Sequence, residues 1–288
     1  MIFRLAAPFG LVLGLARFRR ALLLAGLAWA CSMPSHAATL ATRLQGPGPI
    51  ICAHRGWLSP AETENDLQTF KHTEAAGRFM LEMDLAVTRD GGIVLMHDPT
   101  VDRTTDGHGP VSSLTTARIA RLHLRPRSGP AGRDSPPTLD AVLRWAGATP
   151  DALLMLDIKK TPPADVMKHV REAGMTSRVL LLTFDRDTAA RAFASDPDVL
   201  VSVLVTKDAD LDSYRGMAGA VRRFAAYIPA GASPALFTRA HRLGAVVITD
   251  LLDRADALAP GADPSVLAGR DADIVVSNDP RATLSALR

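Results

Sequence analysis

The sequence predicts an α/β fold, a distorted (β/α)8 or TIM barrel, from three observations. Apolar segments of four to six residues recur between residues 153 and 277, separated by helical segments, which is the pattern of a parallel sheet covered by helices. His54, Glu82, Asp84 and Asp157 all fall at the C-terminal ends of such segments, where barrels of this kind place their sites. Nine strands can be counted, one more than a barrel needs, and connection length resolves the surplus. A parallel pair requires a crossover of a dozen or more residues, which 87–92 cannot supply, so 81–85 and 93–97 must pair antiparallel.

From the N-terminus, residues 17–20 are basic, 21–33 are apolar, and Ser35-His36-Ala37 places small residues where a signal peptidase reads. The expectation is a signal peptide over 1–37, cleaved after Ala37, and a periplasmic or secreted barrel domain over 38–288. An uncleaved anchor is the alternative; with cleavage no stable membrane span is expected, since the apolar run is short. Removing 1–37 takes away four arginines and no acids, so the formal charge passes from +3 to −1. The basic balance belongs to the leader, and nothing calls for nucleic acid. Cys52 is then the one cysteine left, and on a strand it reads as a small buried hydrophobe.

The stretch 51–98 organises the rest. It opens on an apolar strand ending in His54-Arg55-Gly56 and closes on one ending in His97-Asp98. Between them Thr63-Glu64-Asn65 is predicted to start a helix running to Ala76. Glu82 and Asp84 lie two apart on a strand and share a face. A two-residue turn at Asp90-Gly91 would set Asp84 opposite His97. So many ionisable groups among apolar neighbours cost several kcal/mol each unless partnered, so they are expected to share one pocket.

The segment 99–137 is polar and rich in Gly and Pro, with a short helical run at 115–122, and directly follows His97. A long insertion there reads as a small lid over the site. Beyond it, helices are predicted at 139–148, 164–173, 188–194, 211–220 and 234–243, and strands at 153–158, 179–183, 200–205, 224–228, 245–249 and 274–277. Asp157 and Lys159, two apart on the first of these strands, face the same way and add a third carboxylate and a cation to the pocket.

Glu82, Asp84 and Asp157 form an oxygen-only donor set suited to Mg²⁺ or Ca²⁺ and poorly suited to zinc. Arg55 and Lys159 bring the positive charge that phosphate oxygens require. His54 and His97 can divide proton removal and proton donation near neutrality. This is the equipment for cleaving a phosphodiester.

The order His54-Arg55-Gly56, Glu64-Asn65, Glu82-x-Asp84, His97-Asp98-Pro99 and Asp157-x-Lys159 resembles the glycerophosphodiester phosphodiesterases, closely from 51 to about 116 and again at 137–139, 156–159 and 273–280. The resemblance implies a barrel with an insertion after the second histidine. It also implies metal-dependent hydrolysis of glycerophosphodiesters to glycerol 3-phosphate and an alcohol. By motif it assigns His54 and His97 as the acid/base pair, Glu82, Asp84 and Asp157 as ligands of one Ca²⁺ or Mg²⁺, Arg55 and Lys159 as phosphate contacts, and Glu64 as a neighbour of the metal. Thr63 and Asp66 depart from the family's usual Pro and Thr. Asp157 replaces the usual Glu and is similar to the phospholipase D toxins of the same superfamily, which release a cyclic phosphate. Ile248 stands near where many members carry a Trp.

Two alternatives remain, a phospholipase D-like enzyme releasing a cyclic phosphate and a non-catalytic phosphodiester-binding barrel. The first would want an apolar mouth, whereas the insertion carries Arg118, Arg121, Arg125, Arg127 and Arg133; the second would tolerate loss of a histidine or acid, and none is missing. His72, His108, His123, His169 and His241 are expected on the surface, without partners at ligand spacing.

Overall fold

Eight strands run parallel and close on themselves: β1 (Ile50–Ala53), β2 (Met80–Val87), β4 (Leu153–Asp157), β5 (Val179–Leu182), β6 (Leu200–Leu204), β7 (Ala225–Tyr227), β8 (Val246–Asp250) and β9 (Ile274–Ser277). Closure is made by β1, which pairs with β9 through Ala53 and Ser277 and with β2 through Ala53 and Leu81. The ninth strand, β3 (Ile93–Leu95), lies antiparallel on β2 outside the ring. This computed structural model describes residues 37–159, 161–253 and 263–288; the expected leader, residues 1–36, lies outside them. Among the described residues no helix is long and apolar enough to cross a membrane.

Side-chain alternation along the strands produces two apolar layers. Ile50, Cys52, Met80, Met155, Leu180, Val246, Ile248 and Ile274 fill the barrel interior, and Leu40 of the short helix α1 (Leu40–Arg43) packs with them. Ile248 is completely buried there. The opposite strand faces, among them Leu81, Met83, Leu154, Leu181, Val201 and Val247, pack under the helices α2 (Leu67–Ala76), α4 (Leu139–Gly147), α5 (Pro163–Glu172), α6 (Arg186–Ser195), α7 (Asp208–Ala218) and α8 (Pro234–Arg242). A last helix, α9 (Pro280–Ala286), follows β9. Each expected strand is present, within a few residues of its expected ends.

Two expectations need correction. The first concerns α2, which begins at Leu67, not at Thr63, because the Asp66 carboxylate caps it by accepting from the Thr69 N–H at 3.1 Å. Glu64 and Asn65 therefore sit in the preceding loop, Asn65 with φ 53°. The second is the hairpin register, which is one residue away from that expected: Leu85 pairs with Leu95, and the Met96 N–H donates to the Asp84 carbonyl, so Asp84 stands opposite Met96 and not His97. The connection has three residues between Thr88 and Gly92, with Gly91 at φ 82°, and the Thr88 hydroxyl accepts from the Gly92 N–H.

The insertion contains the expected short helical run and has a core of its own. Val101, Val111, Ile119 of helix α3 (Thr116–Ile119) and Leu122 form a small core against Val94 and Met96 of the hairpin.

Candidate active site

The sharp bend after β1 is set by Arg55 (φ 52°) and Gly56 (φ 78°). A Cβ at position 56 would come within 2.0 Å of the Phe70 ring, so only glycine fits there. Holding a non-glycine residue such as Arg55 in this region costs roughly 1–3 kcal/mol. The bend turns the Arg55 N–H onto Glu82 Oε2 at 2.7 Å and buries its guanidinium, with Nη1 on Glu64 Oε1 at 2.8 Å and Nε 3.8 Å from Asp84 Oδ2.

Glu82 and Asp84 on β2 and Asp157 at the end of β4 are each at most 3% exposed, and they offer oxygens that all lie within 4.8 Å of one another. Register explains this, since Asp84 and Asp157 are direct partners across the β2–β4 pair. Lys159 Nζ spans them, 3.0 Å from Asp84 Oδ1 and 3.1 Å from Asp157 Oδ2. Asn65 grips Asp84 twice, accepting from its N–H at 3.0 Å and donating to Oδ2 at 2.9 Å.

Burial and the neighbouring charges of Asp84 and Asp157 push the Glu82 carboxyl well up. Burial and Asp84 push Asp157 up to about 7. Burial would raise Asp84 too, but Lys159, His97, Arg55 and the Asn65 amide hold it below the ordinary carboxylate range. The cluster is therefore short of positive charge. A divalent cation would supply it, and an oxygen-only donor set fits a hard ion.

His54 is 8% exposed, and its Nδ1 lies 2.7 Å from Asn278 Oδ1, which also accepts from Trp57 Nε1–H at 3.2 Å. An amide oxygen only accepts, so His54 donates through Nδ1 and keeps its lone pair on Nε2. Burial and the Arg55 charge bring His54 down to about 4, so it is neutral at physiological pH. His97 has a different partner, since its Nδ1 lies 2.7 Å from Asp98 Oδ1. Hydrogen bonds from Arg103 lower Asp98 to about 2, against a smaller contrary effect of burial, so a full carboxylate backs His97.

Arg103 ties the two halves together. It donates from Nε to Asp98 Oδ2 at 2.6 Å and from Nη2 to Oδ1 at 3.0 Å, and it reaches Glu64 from Nη1 at 2.7 Å and Nη2 at 2.8 Å. Glu64 is thus held between two guanidinium groups and lies outside the three-carboxylate cluster.

All eight residues singled out in the sequence converge on this end of the barrel. Arg103, Asn278 and the gripping role of Asn65 were missed. The signal for Arg103 was available, because it sits in the segment 98–107 that carries the family resemblance. The five other histidines do have partners, each an acid: Glu62, Asp102, Asp106, Asp140 and Asp273, at 2.6–3.2 Å. Most are exposed, with His169 and His241 about 30% so, and none joins a group of three or more ligands among the described residues.

The chain is similar to several known proteins. A glycerophosphodiester phosphodiesterase of Caldanaerobacter subterraneus is 33% identical over 144 residues, covering 47% of this chain and 58% of that protein. Bovine glycerophosphodiester phosphodiesterase 1 is 46% identical over 71 residues, 25% of this chain and 21% of its own. The chain thus spans little more than half, or less, of the length of these curated relatives. A crystal structure of a glycerophosphoryl diester phosphodiesterase from Parabacteroides distasonis superposes with a TM-score of 0.74 at 22% identity, covering 87% of this chain and 92% of that one. An Oleispira antarctica phosphodiesterase solved in complex with the product sn-glycerol-3-phosphate superposes with a TM-score of 0.68 at 21% identity, covering 83% and 96%. The model of the glycerophosphoryl diester phosphodiesterase family matches residues 54–280, most of the chain, and the protein belongs to that family.

Proposed function

We propose that the protein hydrolyses glycerophosphodiesters to glycerol 3-phosphate and an alcohol, with one divalent cation, Ca²⁺ or Mg²⁺, held by Glu82, Asp84 and Asp157. The observation that carries this is the unlike backing of two histidines beside one buried acidic cluster, an amide behind His54 and a carboxylate behind His97. Family membership and the product named for the Oleispira neighbour support it.

The bound cation supplies Lewis-acid charge to the phosphate oxygens. The chain's own groups do the rest. His54, neutral and with its lone pair on Nε2, takes the proton of the attacking water. Asp98, hydrogen-bonded to Nδ1, orients the His97 ring as the proton donor to the departing alkoxide, while Arg103 keeps that carboxylate in place. Arg55 and Lys159 provide fixed positive charge for the phosphate, and Glu64 holds Arg55 in position.

Purified protein incubated with glycerophosphocholine, with and without chelator, tests this: glycerol 3-phosphate and choline are expected, and loss of turnover on chelation. Persistence of full activity in chelator overturns the metal role. Asp157 favours a second reading, release of a cyclic phosphate, because the shorter acid is the toxin-like feature. Phosphorus NMR separates the two, since a cyclic species that persists after substrate is consumed refutes the hydrolase. The leader composition supports action in the periplasm or outside the cell.

A further inference from the structure

A lone exposed aromatic ring on a protein surface needs no explanation. Phe184 is different because of where it stands and what it touches. It is 41% exposed, the one aromatic among the large exposed apolar side chains of the described residues. It follows β5 by two residues, on the same alternation as the inward-facing Leu180 and Leu182, and Leu182 is the register partner of Asp157. One strand spacing and two residues of rise put it on the order of 8 Å from the Asp157 position, at the same mouth of the barrel.

Its ring meets the Tyr227 ring at 68° with centroids 5.8 Å apart, so the two form a corner. Tyr227 is 7% exposed, and its hydroxyl is fixed by donating to Asp250 Oδ2 at 3.0 Å. Burial raises the Tyr227 phenol, and the charges of Asp250 and Glu82 raise it further, so this ring shares the interior with the acidic cluster.

The two arms of a glycerophosphodiester ask for different walls. Glycerol carries hydroxyls and wants hydrogen-bonding groups, whereas an aromatic corner backed by a carboxylate suits a cation, above all one too methylated to hydrogen-bond. In glycerophosphocholine one oxygen and two carbons separate the phosphorus from the quaternary nitrogen, a short arm that keeps the cation at the same mouth of the barrel as the phosphate.

We infer that Phe184, Tyr227 and Asp250 form the subsite for the leaving alcohol and select cationic alcohols of the choline class over neutral polyols. This rests on the hydrolase reading above and deepens it.

The test compares kcat/KM for glycerophosphocholine and glycerophosphoglycerol in the full chain. The wild type is expected to favour the choline ester by roughly 3- to 30-fold. Phe184→Leu, which keeps apolar bulk but removes the π face, is expected to bring the ratio toward one, Phe184→Tyr to retain it, and Asp250→Asn to reduce it. A wild type without preference, or a leucine variant that keeps it, overturns the subsite. Failure to hydrolyse any glycerophosphodiester refutes the hydrolase reading instead. Calorimetric titration with tetramethylammonium then decides the subsite alone: weaker binding in Phe184→Leu sustains it, and no binding or equal binding to both proteins overturns it.

Discussion

Replacing Arg103 by alanine should damage stability and turnover together. Arg103 makes four charged hydrogen bonds, two to Glu64 and two to Asp98. Breaking a fully buried ion pair costs about 3–5 kcal/mol because the partner is left buried and uncompensated. Here Glu64 is 6% exposed but keeps Arg55, and Arg103 itself is 37% exposed, which moves the interaction toward the sub-kcal range of surface pairs. A loss of about 2 kcal/mol is expected, or roughly 4–8 °C in Tm for a chain of this size.

Turnover should fall by about 10–100-fold, the usual scale for removing a group that orients an active-site histidine, since Asp98 loses its anchor behind His97. Arg103→Lys should recover part of the stability and little of the turnover, because an ammonium cannot fork onto two carboxylates at once. Thermal unfolding and steady-state kinetics on the same preparations are the assays. A stable and fully active Arg103→Ala protein would refute the reasoning. A destabilised but fully active one would reduce Arg103 to a staple between the insertion and the loop before α2.

Asp84→Asn should remove most divalent-cation binding while leaving the fold intact, as an amide keeps the volume but weakens the oxygen cage; calorimetric titration with Ca²⁺ and Mg²⁺ checks this, and wild-type affinity would place the metal elsewhere. His54→Ala and His97→Ala should each lower turnover by roughly 10²–10⁴-fold, and the double variant should fall short of the product, because members of one unit are not additive. Stability should also depend on pH through His54, whose value drops from 6.5 to about 4 on folding. Between these values the unfolded chain holds more protons than the folded one, so this contribution is complete above pH 6.5 and is lost as the pH falls to 4. Its size is on the order of 3 kcal/mol. Asp157, raised to about 7, titrates over the same window with the opposite sign, so the readout is the difference between two proteins. Denaturant titrations should show His54→Gln losing less stability than the wild type as the pH falls from 6.5 to 4, and an identical pH dependence in both would refute the His54 contribution.

The barrel depends on long-range register as much as on apolar content. His54 finds Asn278 only because β9 lies beside β1, where Ala53 pairs with Ser277 and the next residues of each strand meet. The same logic sets Asp84 against Asp157 across the β2–β4 pair. A slip of one residue would turn either side chain to the opposite face and dissolve the cluster.

The sequence by itself determined the parallel strands and the helices between them, the antiparallel hairpin, the burial of Cys52 and the eight residues that converge at the barrel mouth. The strands, helices, hairpin and buried cysteine follow from a periodicity or a connection length that acts over a few neighbouring residues, and the eight site residues from their charge at strand ends and their motifs. Tertiary structure decided the rest. Thr88, by bonding the Gly92 N–H, set a three-residue connection and so put Met96, not His97, opposite Asp84. Asp66 capped α2 and freed Glu64 and Asn65 to face Arg55 and Asp84. Arg103 and Glu64 lie 39 residues apart and His54 and Asn278 lie 224 apart, so no local pattern records that they meet. Their pairing is a consequence of barrel closure, which brings buried polar groups together and leaves each with no other way to recover the hydrogen bonds it lost with water.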